Sequence, residues 1–301
     1  MVTLTPEEPA PGTTERRRDT FPVEIAALTW NLFHGRDFPP NPALFTARSR
    51  LFGATEQDAT HAQVNRELLE EFAAVLSKAR WDLALLQECP PRWGPALAAA
   101  CRARAEPSLT SRNWLAPIRT ALARRNPDLL GSWEGGSNMI MLRGPLGTEG
   151  VERRDLVLRR FPERRTMCFA RSAAGLCVAN LHATTVPRLA EADLLKAAAA
   201  AADWAADSPL ILGGDFNLRP NGSEIFDELA TRFELRRPTA PDAIDHLLAR
   251  GLETVAPPSA WPPKAREVPW DGRALRLSDH TPVEARFRMQ LEGTELTTTP
   301  P

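Results

Sequence analysis

Short apolar runs alternate along the chain with stretches in which apolar residues recur every three or four positions. The runs that predict β-strands span 24–30, 82–87, 138–143, 166–171, 176–181, 209–213, 244–248 and 282–289. Stretches with helical periodicity span 61–79, 93–104, 188–206 and 222–231. Strands and helices that alternate in this way predict an α/β protein.

The two ends of the chain differ in composition from the part between them. Residues 1–21 are rich in proline, threonine and charged residues, and residues 291–301 end in Thr-Thr-Thr-Pro-Pro. Segments of this kind bury too little apolar surface to offset the entropy of ordering, so we expect two disordered tails. We expect one domain over residues 22–290.

Residues 256–272 contain five prolines and two tryptophans, and this composition predicts a long loop. Two interpretations of the loop stay open. It packs as ordinary surface, or Trp261 or Trp270 stacks on a ring of the substrate.

Charge is nearly balanced over the whole chain but uneven along it. The 301 residues have a formal net charge of −1 and an isoelectric point near 6.6, so the molecule as a whole attracts polyanions weakly. Residues 102–125 contain six arginines and one acidic residue, which gives a local charge of +5. A solvated arginine-rich surface and a patch that faces phosphate groups both fit this stretch.

The cysteines and the hydropathy of the chain argue against two classes of protein, those with a CxxC zinc site and those that span a membrane. The four cysteines form no CxxC pair, which argues against a zinc site of that type, and Cys168 and Cys177 lie in apolar runs as small core residues. The N-terminus contains no apolar signal segment, and no stretch is long and apolar enough to span a bilayer. We therefore expect a cytoplasmic protein without stable membrane insertion, and nothing in the pattern indicates a protein partner.

Polar residues follow or interrupt the apolar runs at six places. An isolated polar group is costly to bury, whereas an open strand end is where α/β proteins place their chemistry. In Leu-Ile-Leu-Gly-Gly-Asp-Phe-Asn, at 210–217, two glycines also allow a tight turn or the close approach of a ligand. The polar residues are Asn31, Glu88, His182, Asp215 with Asn217, Asp245, and Asp279 with His280.

The chemistry of this set can be argued from the residue types. Oxygen ligands such as Asn31, Glu88 and Asp279 suit Mg²⁺ or Mn²⁺ rather than zinc. Such a cation polarises a phosphoryl oxygen and stabilises charge on a leaving oxygen. Histidines can donate to phosphate or move protons near neutral pH. Because the chain has no G-x-S-x-G elbow and no P-loop, direct attack by water is the simplest reaction.

Six motifs also follow one another in the order found in a known superfamily. They are Trp30-Asn31, Gln87-Glu88, Asn180-x-His182, Gly213-Gly214-Asp215-Phe216-Asn217, Ile244-Asp245-His246 and Ser278-Asp279-His280-x-Pro282. In this set the chain resembles the endonuclease/exonuclease/phosphatase superfamily, which includes DNase I-like nucleases, inositol polyphosphate phosphatases and sphingomyelinases. The resemblance covers roughly residues 22–290 and implies a four-layered α/β sandwich, with two mixed β-sheets packed face to face and helices outside.

The resemblance also implies roles for single residues. Glu88 would hold the divalent ion, Mg²⁺ or Mn²⁺, with Asn31 and Asp279 nearby. Asp215 would orient or deprotonate the attacking water, and Asn217 would donate to a phosphate oxygen. His280, oriented by Asp245, would stabilise the transition state, and His182 would bind the phosphate or assist the leaving group. Asn138 and Arg165 are candidates for binding the substrate.

The sequence departs from the family pattern at several places. The chain has no tyrosine to match the active-site tyrosine of some abasic-site nucleases, and residues 35–60 have the character of an inserted loop. His34, His61 and His246 are not expected to be catalytic.

The predicted function is the metal-dependent hydrolysis of a phosphoester, with a phosphodiester as the first candidate and nucleic acid as one candidate substrate. A phosphomonoesterase and a hydrolase of phospholipids or inositol phosphates stay open. So does an inactive scaffold that binds a phosphorylated ligand or a protein.

Overall fold

The computed structural model describes residues 20–110, 115–148, 150–236 and 238–292. It contains two large mixed β-sheets and seven α-helices among the residues described. No helix within these ranges is long and apolar enough to cross a membrane.

The first sheet has six strands, in the order β12-β15-β1-β4-β6-β5. Its strands are β1 (Thr20–Asn31), β4 (Leu83–Cys89), β5 (Arg104–Leu109), β6 (Ser137–Leu142), β12 (Glu253–Ala260) and β15 (Val283–Glu292). The neighbours β1 and β4 run parallel, and the other pairs run antiparallel. The ends of β1 and β4 therefore lie at the same edge of this sheet.

The second sheet has five strands, in the order β11-β10-β9-β8-β7. Its strands are β7 (Glu152–Arg159), β8 (Arg165–Arg171), β9 (Cys177–His182), β10 (Leu210–Asp215) and β11 (Asp245–Arg250). The strands β9 and β10 run parallel, so that His182 and Asp215 end side by side. Two short hairpins complete the strands, β2 (Glu56–Gln57) with β3 (Ala62–Gln63), and β13 (Glu267–Trp270) with β14 (Arg273–Arg276).

The described residues form seven α-helices, and four of them cover the outer faces of the two sheets. The helices are α1 (Ala47–Phe52), α2 (Leu69–Lys78), α3 (Gly94–Cys101), α4 (Ala116–Arg125), α5 (Pro127–Leu130), α6 (Pro187–Ala205) and α7 (Ile225–Phe233). Apolar side chains of α2 and α3 pack on the first sheet, and those of α6 and α7 pack on the second. The predicted four-layered α/β sandwich is therefore confirmed.

A third apolar cluster fills the space between the two sheets. Ile25 and Leu85 contribute to it from the first sheet, and Val178 and Ile211 contribute from the second. Neighbouring residues along a strand point to opposite faces, so Leu86 contributes instead to the cluster beneath α2 and α3. Burial on both faces explains why these strands are nearly continuous apolar runs in the sequence.

Two predicted helices are shorter than their apolar periodicity indicated. The helix expected over 61–79 begins at Leu69, because Ala62–Gln63 pairs with β2 and the Val64 N–H donates to Asp37 Oδ2 at 2.9 Å. The helix expected over 93–104 ends at Cys101, and the chain then turns through Arg102 (φ 50°) into β5.

Both predicted loops contain regular structure. Residues 35–60 include α1, whose first turn is capped by the Thr46 hydroxyl at 2.9 Å from the Ser49 N–H, and they include the strand β2. Residues 256–272 include the end of β12 and all of β13. Trp261 and Trp270 pack against the cluster beneath α2. This packing favours the interpretation of the segment as ordinary surface over a role in stacking on substrate.

The strands at the two ends of the chain extend beyond the borders expected from composition. Thr20 pairs with Glu292, so β1 begins two residues before residue 22 and β15 ends two residues after residue 290. These end residues join the sheet because β1 and β15, which are far apart in the sequence, pair with each other. The remainder of the predicted tails, 1–19 and 293–301, lies outside the described residues.

Candidate active site

Asp215 lies at the end of a central strand, between two other residues of the predicted site. In the strand register it pairs with His182 of β9 on one side and with Asp245 of β11 on the other. The three side chains come from positions 33 and 30 residues apart in the chain, and hydrogen bonding between the strands brings them to one edge of the second sheet.

The two glycines before Asp215 are required by the close packing around β10. A Cβ atom on Gly213 would lie 2.7 Å from Leu85 Cδ1 of the facing sheet. Gly214 has a φ of +134°, and a Cβ atom there would lie 1.9 Å from the Leu181 carbonyl oxygen. Glycine is required at both positions: Gly213 allows the two sheets to pack closely at this edge, and Gly214 allows β9 and β10 to pair.

The Asp215 carboxylate is buried and surrounded by polar groups. Its Oδ2 accepts from Asn31 Nδ2 at 3.0 Å and lies 3.3 Å from His182 Nε2 and 3.7 Å from His280 Nε2. Burial and the nearby charge of Asp245 raise the pKa of Asp215 to about 7. A carboxylate with this pKa can accept a proton near neutral pH, as a general base requires.

His280 and Asp245 form a hydrogen-bonded pair between the sheets. The distance from His280 Nδ1 to Asp245 Oδ2 is 2.8 Å. Burial disfavours the imidazolium, but the bond to Asp245 and the charges of Asp245, Asp215 and Asp279 outweigh it and raise the pKa of His280 to about 10. The ring is therefore positively charged at neutral pH, with Nε2 directed toward Asp215.

The loop that bears Asp279 and His280 is held by the end of β1. The Ser278 hydroxyl donates to the Asn31 carbonyl oxygen at 2.6 Å, and Trp30 Nε1 donates to the His280 carbonyl oxygen at 3.1 Å. Ser278 has a φ of 60°, an uncommon backbone conformation for a residue with a side chain. These contacts explain why Trp30 and Ser278 accompany the reactive residues in the sequence motifs.

Glu88 lies at an irregularity in β4. The pairing of β4 with β6 shifts register between Leu86 and Cys89, and Glu88 has a φ of 48°. A bulge of this kind redirects a side chain from the direction that regular alternation would give it. The Glu88 carboxylate contacts two histidines, with Oε2 at 3.1 Å from His34 Nε2 and Oε1 at 3.8 Å from His182 Nδ1.

His34, which was not expected to be catalytic, lines the same cavity as Glu88 and His182. Burial lowers the pKa of His34, so its ring is neutral at neutral pH. Its position depends on a backbone φ of 53° in the turn after β1. The sequence indicated only that His34 is three residues from Asn31, and a loop histidine with a local hydrogen bond was the simpler interpretation.

The residues Asn31, Glu88 and Asp279 have the donor chemistry that a hard cation requires. Asp279 lies exposed at the mouth of the site, and partial desolvation together with the charge of Glu88 raises its pKa. Two carboxylates that repel each other in this way are stabilised by a cation between them. The side-chain oxygen Oδ1 of Asn31 accepts from the Phe33 N–H at 2.9 Å and retains a second lone pair. The donor set therefore fits a divalent ion.

A tighter group of candidate ligands consists of Asp215, Asp245 and His280, whose ligand atoms all lie within 4.8 Å of one another. His280 is protonated in this arrangement and donates to Asp245, and an imidazolium has no lone pair for a metal. The group therefore resembles a hydrogen-bonded catalytic network more than a metal centre.

Two motif residues join the sheets instead of facing the cavity. Gln87 Nε2 donates to Asn180 Oδ1 at 2.8 Å, and Asn180 Nδ2 donates to the carbonyl oxygens of Leu86 and Met139 at 2.9 and 3.0 Å. Both side chains are fully buried. Each polar atom of these two side chains has a hydrogen-bond partner. The network therefore holds the strand ends that bear Glu88 and His182 at a fixed distance.

The other predicted residues also lie near this edge. His182 is buried, and burial with the charges of Arg165, His280 and His34 lowers its pKa well below the ordinary value, so its ring is neutral. Asn217 (φ 52°) donates through its side chain to the Ala183 carbonyl oxygen at 3.1 Å, and its N–H donates to Asp215 Oδ1 at 3.0 Å.

Asn138 is the second residue of β6 in the first sheet, and Arg165 is the first residue of β8 in the second. Asn138 is fully buried and donates to the Thr166 carbonyl oxygen at 2.7 Å. Arg165 lines the cavity and donates through Nη2 to Glu163 Oε2 at 2.6 Å. Asn138 Oδ1 and Arg165 Nε are buried without a hydrogen-bond partner among the described residues.

Two cavities lie at this edge, and each is lined by a histidine that lies within 3.7 Å of the buried Asp215 carboxylate. The larger has a volume of about 530 Å³ and is lined by Glu88, His182 and three arginines, Arg160, Arg164 and Arg165. The smaller has a volume of about 400 Å³ and is lined by Asp245, Asp279 and His280. Sequence reasoning selected Arg165 alone from the segment 159–165, although four of its seven residues are arginine.

The described arginines of the stretch 102–125 do not line these two cavities. Arg104 pairs with Glu106 at 2.6 Å, and Arg124 lies 3.5 Å from Glu67. None of the described arginines of this stretch lines either cavity, and Arg112 lies outside the described residues. For the described part, the solvated surface is the interpretation that fits.

The remaining histidines are structural. His246 is fully buried, accepts from the Thr239 N–H through Nδ1 at 3.1 Å and contacts the Leu218 carbonyl oxygen through Nε2 at 3.0 Å. His61 contacts Glu267 at 3.2 Å, away from the residues that line the two cavities.

One edge of the α/β sandwich therefore brings together acidic residues and histidines from both sheets, and a comparison of the sequence with protein families gives the class of protein to which the chain belongs. The family model of the endonuclease/exonuclease/phosphatase family matches residues 28–280. The chain belongs to this family. Among curated protein sequences, none matches the chain significantly.

Solved structures share the fold at low sequence identity. An endonuclease/exonuclease/phosphatase family protein from Bacteroides thetaiotaomicron is 14% identical, with a TM-score of 0.59 over 91% of this chain and 98% of that one. A mannosyl-6-phosphatase of the same organism is 14% identical, with a TM-score of 0.56 over 87% and 99% of the two chains. Truncated TDP2 of Caenorhabditis elegans is 14% identical, with a TM-score of 0.52 over 88% and 97%.

Proposed function

We propose that the protein is a divalent-metal-dependent hydrolase of phosphoester bonds that uses water as the nucleophile. The observation that supports it most directly is the Asp215 carboxylate, buried between a charged His280 and a neutral His182. Membership of the family supports the reaction class, and enzymes of this family generally use divalent ions.

Asn31, Glu88 and Asp279 would hold the ion, and we take it to be Mg²⁺ or Mn²⁺ because the donors are oxygens. When bound, the ion would polarise a phosphoryl oxygen and offset the charge that develops in the transition state. The repulsion between Glu88 and Asp279 supports this assignment, because a cation would relieve it.

Asp215 acts as the general base in this proposal. Its Oδ2 is oriented by Asn31 Nδ2 and has a pKa near 7, so it can orient a water molecule and remove its proton. His280, held by Asp245, presents a positive Nε2 toward the same place and stabilises negative charge on the phosphorus oxygens. His182 donates a hydrogen bond to the phosphate or to the leaving oxygen, and Asn217 lies beside it.

The shape of the site favours a phosphodiester over a monoester. His182 lines a cavity of about 530 Å³ and His280 lines one of about 400 Å³, and both histidines lie within 3.7 Å of Asp215 Oδ2. A phosphate between them would have space for an ester group on each side. A monoester would fill one side only.

A hydrolysis screen tests the proposal. The protein is incubated with Mg²⁺ or Mn²⁺ and bis(p-nitrophenyl) phosphate or p-nitrophenyl phosphate, then with DNA, RNA, inositol phosphates and phospholipids. We expect metal-dependent release of p-nitrophenolate, faster from the diester, and a loss of about 10²–10⁴-fold in Asp215→Asn. Asp203→Asn, an exposed position on α6, is the matched control. Full activity of Asp215→Asn would refute the role of Asp215, and hydrolysis that is equal in excess chelator would refute metal dependence.

A further inference from the structure

The larger cavity extends from the reactive edge onto the hairpin formed by β7 and β8. Arg160, Arg164 and Arg165 line it from this hairpin, and Ser132, Gly135 and Gly136 line it from the segment before β6. His182 and Glu88 form its inner end. A group that enters this cavity is therefore a neighbour of the phosphate placed over Asp215.

The charges on the cavity wall are not balanced. Glu163 is paired with Arg165 at 2.6 Å, and Glu88 belongs to the set that would hold the ion. Arg160 and Arg164 remain as positive charges without a carboxylate partner among the described residues that line the cavity. Two guanidinium groups on the wall of a cavity are a strong attraction for an anion with several oxygens.

Two of the three guanidinium groups, those of Arg164 and Arg165, are held in place before any ligand arrives, whereas Arg160 is exposed. Arg164 Nη1 donates to the Leu109 carbonyl oxygen at 2.9 Å, which leaves its other nitrogens free. Arg165 is 7% exposed, and its Nε has no hydrogen-bond partner within the described ranges. An unpaired donor buried in a polar cavity is costly unless a ligand satisfies it, and a fixed guanidinium loses little entropy on binding.

We propose that Arg160 and Arg164 form a second anion subsite, which receives another phosphate of the substrate beside the one that is cleaved. The preferred substrates are then phosphoesters with two phosphate groups, either on adjacent positions of a nucleic acid strand or on one small molecule. This inference rests on the proposed function and names the substrate class of the same site. Arg165, at the inner end of the cavity, contacts the cleaved phosphate or the bridge between the two.

Two exposed aromatic residues lie beside the cavity, and they suggest which ligands should be used to test the subsite. Trp133 and Phe161 are 60% and 83% exposed, and each directly follows a residue that lines the cavity, Ser132 or Arg160. Large exposed aromatic side chains beside arginines are the pattern that stacks bases in single-stranded nucleic acids. A nucleoside bisphosphate is therefore one probe, and a sugar bisphosphate is the second, because it has two phosphates and no base.

Binding measurements test the subsite without turnover. Titration calorimetry with Mg²⁺ uses the full chain with Asp215→Asn, so that no ligand is consumed, and compares adenosine 3′,5′-bisphosphate with adenosine 5′-monophosphate. A second pair compares fructose 1,6-bisphosphate with fructose 6-phosphate. We expect the bisphosphate of at least one pair to bind about tenfold more tightly than its monophosphate. Adding Arg160→Ala and Arg164→Ala should abolish that difference, and Arg125→Ala, an exposed position on α4, should keep it.

Each outcome has a defined consequence. A preference in the nucleoside pair alone supports the subsite with a nucleic acid strand as the source of the second phosphate, and a preference in the sugar pair supports it with phosphate alone as the determinant. Equal affinities within both pairs, including no measurable binding, would overturn the subsite. So would a preference that survives removal of both arginines. A bisphosphate preference without any hydrolysis by the unsubstituted protein would instead refute the proposed function and leave the subsite intact.

Discussion

The Nδ1 atom of His280 lies 2.8 Å from Oδ2 of Asp245, and this hydrogen bond connects the two sheets at the reactive edge. Asp245 begins an edge strand of the second sheet, and His280 lies in the loop before the last strand of the first. The hydrogen bond therefore forms only when the two sheets are correctly packed against each other.

The first prediction concerns the pH dependence of stability. The pKa of His280 is raised in the folded state from an ordinary 6.5 to about 10, so its stabilising contribution is complete below pH 6.5 and is lost as pH rises through 10. Asp245→Asn should lower the melting temperature at pH 7 and flatten its decline between pH 7 and 10, as measured by differential scanning calorimetry. Asp203→Asn should retain the original profile. An unchanged slope in Asp245→Asn would show that the pair does not stabilise the charged ring.

The second prediction concerns the divalent ion. An ion that binds only the folded protein adds about 2.7 kcal/mol of stability at 100 times its dissociation constant, so Mg²⁺ should raise the melting temperature by several degrees. Glu88→Gln removes one carboxylate and should reduce that rise. Glu70→Gln, an exposed position on α2, is the control. If Mg²⁺ raises the melting temperature of Glu88→Gln as much as that of the unsubstituted protein, Glu88 is not a ligand.

The third prediction concerns the glycine before Asp215. Gly214 has a φ of +134°, and an added Cβ atom would lie 1.9 Å from the Leu181 carbonyl oxygen. Gly214→Ala should cost roughly 3 kcal/mol or more in the free energy of unfolding, because the backbone is strained and the neighbouring strand must move. An added Cβ atom on Gly222 meets nothing within 4 Å, so Gly222→Ala should change stability by no more than about 0.5 kcal/mol. Equal effects in urea denaturation would contradict the packing argument.

The fourth prediction concerns a buried carboxyl outside the site. Burial raises the pKa of Asp37 from 3.8 to about 8, and its Oδ1 has no hydrogen-bond partner among the described residues. The folded state then binds more protons than the unfolded state between these values, so this group makes stability decrease as pH rises from 3.8 to 8. Asp37→Asn keeps an acceptor for the Val64 N–H and cannot ionise. Its melting temperature relative to the unsubstituted protein should therefore increase with pH over this interval, and a constant difference would refute the assignment.

Much of the site could be predicted because strand ends have a local signature. Asn31, Glu88 and Asp215 each follow an apolar run, and a reactive residue at an open strand end needs no distant information to be noticed. The glycines before Asp215 were noticed for the same reason, although the contacts that require them come from Leu85 and Leu181.

The strands that the sequence did not predict lie at sheet edges or beside them. The first four residues of β7, Glu152–Arg159, are exposed and charged, and β5, Arg104–Leu109, contains an internal proline. Neither has the apolar alternation of a buried strand, because an edge strand is fixed mainly by hydrogen bonds to its one neighbour. Such strands become visible only when β8 and β6 are in place beside them.

The sequence by itself determined the class of fold, the order of the motifs and the residues available for chemistry, because periodicity and strand-end polarity are local properties of the chain. Tertiary structure decided which of these residues meet: it paired His280 with Asp245, directed Gln87 into a bridge between the sheets, and placed His34 beside Glu88. It also decided which arginines line the cavity. Distances between residues far apart in the chain are set by the packing of the two sheets, and pKa values follow from the burial and charges that the packing creates.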